Sequence, residues 1–385
     1  MKNFKLTFND FKPGRYYWLY ITLIGLAVGC HKPDIHENDL RDFKVVNLVA
    51  NTNEYHPLTV DQTLINAFGI AWSPNGIAWV NSVGGHVSEL YTAEGGIVRP
   101  GVKIPSPTDS ATGLPCGIVF AGGKNFKLAN GTATFLFTGF DGVLSGWNGG
   151  NFAQRLRVPP GARYTGLAIG VSNGRNFIYG ANFEAKKIDV WDTAFSRVNM
   201  TFKDPGIPDN YSPYNIQAVG DYLFVMYSQH GDDGHGVNGV GKGFVSVFNT
   251  DGSFVKRFAS RGTLNNPWGA VMAPASFLDD KDVDDGGYGN KTSTEGNTAG
   301  RHDNHDPKDP VILIGNFGDG RINVYSLEGQ FIGQLKSHNR VLEIEGLWAL
   351  SFAPSTATTI DPKRLYFTAG PDGENDGVFG YLIKH

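Results

Sequence analysis

The sequence predicts an all-β fold, a six-bladed β-propeller of four-stranded antiparallel blades closed by an N-terminal strand. Three observations predict it. The composition suits many short strands and tight turns, with 51 glycines, 12% aromatic and only 18% charged residues in a chain of 385. Glycine supplies the positive φ angles that turns demand, and aromatics suit pleated, half-buried surfaces. No long stretch carries helical periodicity. Above all, a unit of about fifty residues recurs six times along the chain.

The elements follow in chain order. Lys2, Lys5, Lys12 and Arg15 precede an apolar run from Tyr16 to Gly29, the pattern of a secretory leader, 1–29. The run is too short to cross a hydrocarbon core of about 30 Å as a helix. Leu26-Ala27-Val28-Gly29-Cys30 resembles a bacterial lipobox, with Leu26 one place further back than usual, so Cys30 is expected to carry lipid and become the mature N-terminus. The competing reading is an ordinary cleavage after Gly29, which leaves Cys30 as a reactive thiol. His31 follows where an Asp would signal inner-membrane retention, which points to the outer membrane. Residues 30–42 read as a polar, lipid-anchored linker, and 43–385 as the propeller. Cys116 has no disulfide partner once Cys30 is acylated, so stability must come from the core.

The repeat opens on Asn66-Ala67-Phe68-Gly69-Ile70, Leu114-Pro115-Cys116-Gly117-Ile118, Arg163-Tyr164-Thr165-Gly166-Leu167, Ser212-Pro213-Tyr214-Asn215-Ile216, Asn266-Pro267-Trp268-Gly269-Ala270 and Gly346-Leu347-Trp348-Ala349-Leu350. Counted from Gly69 through Gly117, Gly166, Asn215 and Gly269 to Ala349, the spacings are 48, 49, 49, 54 and 80. The last spacing contains an insertion, 279–309, in blade five. A second strand follows each opening, such as Phe177-Ile178-Tyr179 or Tyr222-Leu223-Phe224-Val225. The third is seen in an ungapped match of Asn182-Phe183-Glu184-Ala185-Lys186-Lys187-Ile188-Asp189-Val190-Trp191 with Asn316-Phe317-Gly318-Asp319-Gly320-Arg321-Ile322-Asn323-Val324-Tyr325. A fourth closes most units after a turn such as Asp251-Gly252 or Glu328-Gly329. The last unit ends after three strands, and Phe43-Lys44-Val45-Val46-Asn47-Leu48-Val49 is an orphan strand before the first. Pairing the two closes the ring and leaves no raw edge at the seam.

The Pro-Trp-Gly opening at Pro267, the hairpin from Asn316 to Tyr325, and the late Leu347-Trp348-Ala349-Leu350 and Tyr366-Phe367-Thr368-Ala369-Gly370-Pro371 segments resemble a family of conserved hypothetical proteins, exported bacterial NHL-repeat-like β-propellers. The resemblance covers nearly everything after Phe43. It implies the fold and brings no reaction with it.

Candidate chemistry is sparse. Asn81, Asn182 and Asn316 follow the second strands of blades one, three and five, with Asp141, Glu184 and Asp319 close by. These six are expected to surround one mouth of the channel. At fold level, regucalcin and gluconolactonase-like propellers hold a divalent cation on such groups, and oxygen ligands suit Ca²⁺. The alternative is that each caps a turn by bonding its own backbone. In the insertion, Asp280-x-Asp282-x-Asp284 begins like a Ca²⁺ loop, but Lys291 stands where a bidentate Glu is needed. Gly236 to Gly243 imitates a phosphate loop, yet Gly243 replaces the Ser or Thr and a strand follows where a helix should. His230 and His235, in the same stretch, are a weak metal signal. Phe68, Cys116, Thr165, Tyr214, Trp268 and Trp348 hold one equivalent position, expected to pack at the axis or to floor a ligand site.

The formal net charge of −4 includes the four cations and one carboxylate up to Arg15, so the remainder is more acidic still. Nucleic acid is not expected as a partner, because phosphate-backbone binding needs a clustered basic surface. The expected role is a binding or scaffold module held at the cell envelope, engaging a protein, glycan or small molecule. The alternative is a divalent-metal-dependent, lactonase-like hydrolase with its site in the channel.

Overall fold

A computed structural model describes residues 35, 37–232, 234–279 and 309–385. The leader, Cys30 and nearly all of the blade-five insertion lie outside the described residues. Among those described, no helix is long and apolar enough to cross a membrane.

The strands are apolar on both faces, and this drives the architecture. Successive side chains in a strand leave on opposite sides. In Phe177-Ile178-Tyr179, Phe177 and Tyr179 join a cluster with the following sheet, and Ile178 joins one with the preceding sheet. In Leu223-Phe224-Val225-Met226 the same division recurs one sheet further on. A sheet that is apolar on both sides has to be covered twice, and sheets stacked radially in a ring cover one another without an end.

Six sheets do so. Counted from axis to rim, blade one holds Ala67–Trp72, Ala78–Ser82, Val87–Tyr91 and Ile97–Lys103. Blade two holds Pro115–Phe120, Phe135–Gly139, Leu144–Trp147 and Gln154–Arg157. Blade three holds Tyr164–Ser172, Arg175–Asn182, Lys187–Trp191 and Arg197–Val198. Blade four holds Tyr211–Val219, Tyr222–Gln229, Phe244–Phe248 and Phe254–Ser260. Blade five holds Pro267–Ala273, Val311–Asn316, Ile322–Tyr325 and Phe331–Gln334. Blade six holds Leu347–Phe352, Leu365–Ala369 and Val378–Lys384, and its rim strand is Phe43–Ala50.

That last pairing is the expected closure, antiparallel from Phe43↔Lys384 to Ala50↔Val378. A short strand, Thr59–Val60, adds itself parallel to the closing strand, which the sequence did not announce. Ile35 and Leu40, from the stretch read as a linker, are buried with Phe43 between blades five and six. Docking of the chain thus begins before the closing strand, wherever an apolar residue finds the groove between two sheets.

Among the described residues, six apolar clusters each span two consecutive sheets, the sixth and first included, and a seventh lies at the axis. The first strands converge there, which explains the repeated glycine. A Cβ on Gly69 would stand 2.2 Å from the Cys116 carbonyl oxygen, and one on Gly117 would stand 2.6 Å from the Leu167 nitrogen. Blades four and six depart from the rule, with Asn215 and Ala349 at the equivalent position. Asn215 donates Nδ2–H to the Trp268 carbonyl at 2.8 Å, and its Oδ1 fills the space over Gly166.

Candidate functional site

The positions equivalent in sequence meet at the axis. Phe68, Cys116, Tyr214, Trp268 and Trp348 share one cluster, and the Thr165 carbonyl beside them accepts the Trp268 indole N–H at 2.9 Å. The Trp348 ring is stacked between Phe68 and Phe317, with centroids 3.8 and 3.9 Å away. These rings plug the channel. On one side, a cavity of about 280 Å³ is walled by first strands of the blades, with Asn215, Gln217 and Ser351 among its polar groups. On the other side a mouth opens among the connections that lead into first strands and those that join second to third strands.

That mouth holds a cavity of about 180 Å³ whose lining includes Trp348, Tyr214, Phe140, Asn66, Arg163 and Glu374. Trp348 and Tyr214 are buried floor residues. An indole N–H can only donate. Trp348 Nε1 therefore fixes the Asn66 amide by donating to Oδ1 at 2.9 Å, and Asn66 Nδ2 then donates to Glu374 Oε2 at 2.7 Å. Glu374 stands in a turn in which Asp372, Gly373 and Glu374 all have positive φ, at 53°, 61° and 72°. Two non-glycine residues in the left-handed region cost roughly 1–3 kcal/mol each, and such strain clusters at sites where a side chain must be aimed. Burial pushes the Glu374 carboxyl above its usual range, against the Asn66 hydrogen bond and the charges of His235 and Arg163. The Arg163 guanidinium lies over the Phe140 ring, 5.4 Å from its centroid.

His230 sits directly after its second strand, where blades two, three and five carry Phe140, Phe183 and Phe317. It keeps the aromatic packing, parallel to Phe183 at 4.7 Å. Its Nδ1 faces the Gly231 carbonyl at 2.9 Å and so carries the hydrogen. Its Nε2 lies 3.7 Å from Glu184 Oε2. A second, larger cavity of about 710 Å³ adjoins the mouth, shares His235 and Glu374 with it, and is lined by Asp319, Glu343 and Glu345.

The six residues picked from sequence hold separate places. Asn81, Asn182 and Asn316 end buried within their second strands rather than after them. Asn81 Nδ2 donates across to the Cys116 and Gly117 carbonyls of blade two at 3.2 and 3.3 Å. Asn182 donates to Asp189 at 2.9 Å and accepts from the Arg163 and Ala185 amides. Asn316 donates to the Thr263 carbonyl at 2.8 Å and to Asp319 at 3.0 Å, the one pair of the six joined by a hydrogen bond. Asp141 accepts from the Leu114 and Val143 amides, and burial raises its carboxyl against those bonds. Asp319 accepts from the Arg321 amide and lines the larger cavity. Glu184 reaches His230. Among the described residues, no group of three or more His, Cys, Asp or Glu is placed to hold a metal ion. Gly236 to Gly243 joins strands and no helix follows it.

Sequence reasoning does not single out Asn66, Arg163 or Glu374. The first two stand two places before the equivalent axis residue, in a ring continued by Leu114, Ser212, Asn266 and Gly346, and the repeat alignment already contained that ring. Glu374 comes from the last loop, where Asp372-Gly373-Glu374 is the signal of a tight turn.

No family model matches the chain. Among curated proteins it is similar to uncharacterized proteins of Acanthamoeba polyphaga mimivirus. One is 35% identical over 230 residues, which is 57% of this chain and 51% of that protein. Another is 28% identical over 358 residues, 89% of this chain and 80% of that protein. The chain thus spans about half the length of the first relative. These relatives are viral and supply no support for the bacterial, lipid-anchored part of the expectation. Among solved structures, it is similar to a streptogramin B lyase, with 12% identity, TM-score 0.47, and coverage of 89% of this chain and 97% of that one. A gluconolactonase from Xanthomonas campestris gives 13% identity, TM-score 0.43, and coverage of 83% and 86%. At such identities the likeness concerns the fold and assigns no reaction here.

Proposed function

We propose that the protein is a binding module whose loop face takes the polar head of a small ligand into the aromatic-floored mouth. One observation carries this reading. Arg163 and Glu374 lie over an aromatic floor in one concave site, and neither is tied to the other by an ion pair. A concave, largely apolar cavity with a few convergent polar groups is the usual form of a ligand site. The lactonase-like alternative needs a cation, and the described His, Cys, Asp and Glu residues gather no ligand set for one.

The test is a thermal-shift screen of the full chain against sugars, nucleosides, amino acids and carboxylic acids. A ligand that binds the folded state raises the melting temperature by mass action. At least one class should do so in a dose-dependent way, lose the effect in Arg163→Ala and Glu374→Ala, and be recovered chemically unchanged. A screen with no responder, or responders indifferent to both variants, overturns the reading. Conversion of the compound would make the protein an enzyme.

Attachment to the cell envelope, at the outer membrane, through lipid on Cys30 completes the proposal, and it rests on the leader and the lipobox-like stretch. Labelled palmitate should enter the wild-type chain and not Cys30→Ala. Equal labelling would refute the anchor.

A further inference from the structure

We infer that the mouth selects a compact zwitterion, a small molecule bearing one ammonium and one carboxylate as α-amino acids do, with the carboxylate on Arg163 and the ammonium on Glu374. The inference rests on the binding role proposed above and narrows its ligand.

Charge pairing selects the ligand. Arg163 is always protonated and offers a rigid fork of donors suited to a carboxylate. It is half-buried, and apart from its place over Phe140 its guanidinium makes no hydrogen bond or ion pair with a described residue. Glu374 is held the opposite way. Its Oε2 is taken by the Asn66 amide, whose orientation Trp348 dictates, and its Oε1 has no hydrogen-bonding partner among the described residues. Beside His235, which lines the same cavity, the mouth thus presents, among the described residues, one guanidinium with open donors and one carboxyl with an open acceptor. A ligand with a single charge would satisfy one of them and strip water from the other, and a desolvated, unpaired charge is costly. A zwitterion pairs both.

Two further features agree. The strained turn that presents Glu374 would be an odd expense for a residue that only filled space. The larger cavity beyond Glu374 has acidic walls, which favour the ammonium end on that side and leave room for a side chain or a second residue. Burial lifts the Glu374 carboxyl, and an ammonium beside it would draw it back down.

Calorimetric titration of the full chain tests this. The probes are the twenty L-amino acids and glycylglycine, with 2-phenylethylamine and 3-phenylpropionate as single-charge counterparts of phenylalanine. At least one zwitterion should bind; a response to glycylglycine beside the free amino acids would extend the class to short peptides. Where phenylalanine binds, each counterpart should be at least about tenfold weaker, because charge-assisted contacts are the strong ones. Arg163→Gln and Glu374→Gln should each weaken zwitterion binding by roughly tenfold or more, and Arg163→Lys should retain part of it. Circular dichroism and melting curves confirm that the variants fold. Counterparts that bind as well as phenylalanine, or variants that keep full affinity, overturn the inference. If every zwitterion fails while another class binds through Arg163 and Glu374, the inference falls and the binding role stands. If no class binds, the binding role falls with it.

Discussion

Blades one and three bury a carboxylic acid at the same register position and solve the problem differently. Glu89 lies opposite Val80, which lies opposite Ile70, and Asp189 lies opposite Gly180 and Leu167 in the same way. Both are almost fully buried, at 3% and 1% exposure. Asp189 accepts from the Tyr164 hydroxyl at 2.7 Å and Asn182 Nδ2 at 2.9 Å, and forms an ion pair with Arg197 at 2.7 Å. Burial acts to raise its carboxyl, and Arg197, Tyr164 and Asn182 together overcome that and hold it low. Glu89 has no such cation. Its Oε1 lies 2.7 Å from the Thr63 hydroxyl, which also lies 2.6 Å from Asp61 Oδ1. Thr63 has one hydrogen for two carboxylates, so its hydroxyl can donate to Glu89 or to Asp61 but not to both at once. Burial pushes Glu89 up to about 7, eased by the Thr63 bond and raised further by Asp61. A buried carboxyl in this fold needs either a cation or a proton.

The difference has a location. The side of blade one that carries Tyr91 faces Leu48, Val49 and Phe379 of blade six, so Glu89 lies toward the seam where the ring closes. Its titration should therefore govern stability. Because its folded pKa stands above the unfolded value of 4.5, the folded state holds the extra proton between the two. Stability is then full below about 4.5 and is lost as pH rises to about 7. The loss amounts to roughly 3 kcal/mol by order of magnitude. Glu89→Gln should keep the neutral form at every pH and erase this slope. Urea unfolding of both proteins from pH 4.5 to 8 checks it, and parallel profiles would show that Glu89 does not titrate in this window.

The comparison also shows what a sequence discloses. The ring was legible because its causes repeat. Backbones crowd together at the axis in four of the six blades, so Gly69, Gly117, Gly166 and Gly269 recur near multiples of one period, and a blade short of a strand has to borrow one. The site was not legible because its causes do not repeat. Asn66, Arg163 and Glu374 come from three blades; the first two share a register position but not a residue type, and Glu374 stands outside the repeated register. Asn81, Asn182 and Asn316 looked functional because they recur. In the structure each is buried and donates its Nδ2–H to a carbonyl or carboxylate of an adjacent strand, loop or blade. The pairing of Asp189 with Arg197 was equally hidden, since nothing in Lys187-Ile188-Asp189 tells that a side chain opposite Trp191 will reach back to it.

The smallest change is the most discriminating. Trp191 pairs with Arg197 in blade three, and Tyr91 pairs with Ile97 in blade one, so Ile97 holds the place of the missing cation. Ile97 is 49% exposed, so little apolar burial is lost by replacing it. Ile97→Arg should bring a guanidinium over Tyr91 and toward Glu89, as Arg197 lies over Trp191, and lower the Glu89 pKa. A half-exposed pair is worth only about 0.5–1 kcal/mol. That gain should be seen at pH 8, where Glu89 is charged, and vanish at pH 5, where it is protonated. A gain of equal size at both pH values would come from the surface of the outer strand and would mean that the two blades do not share one electrostatic design.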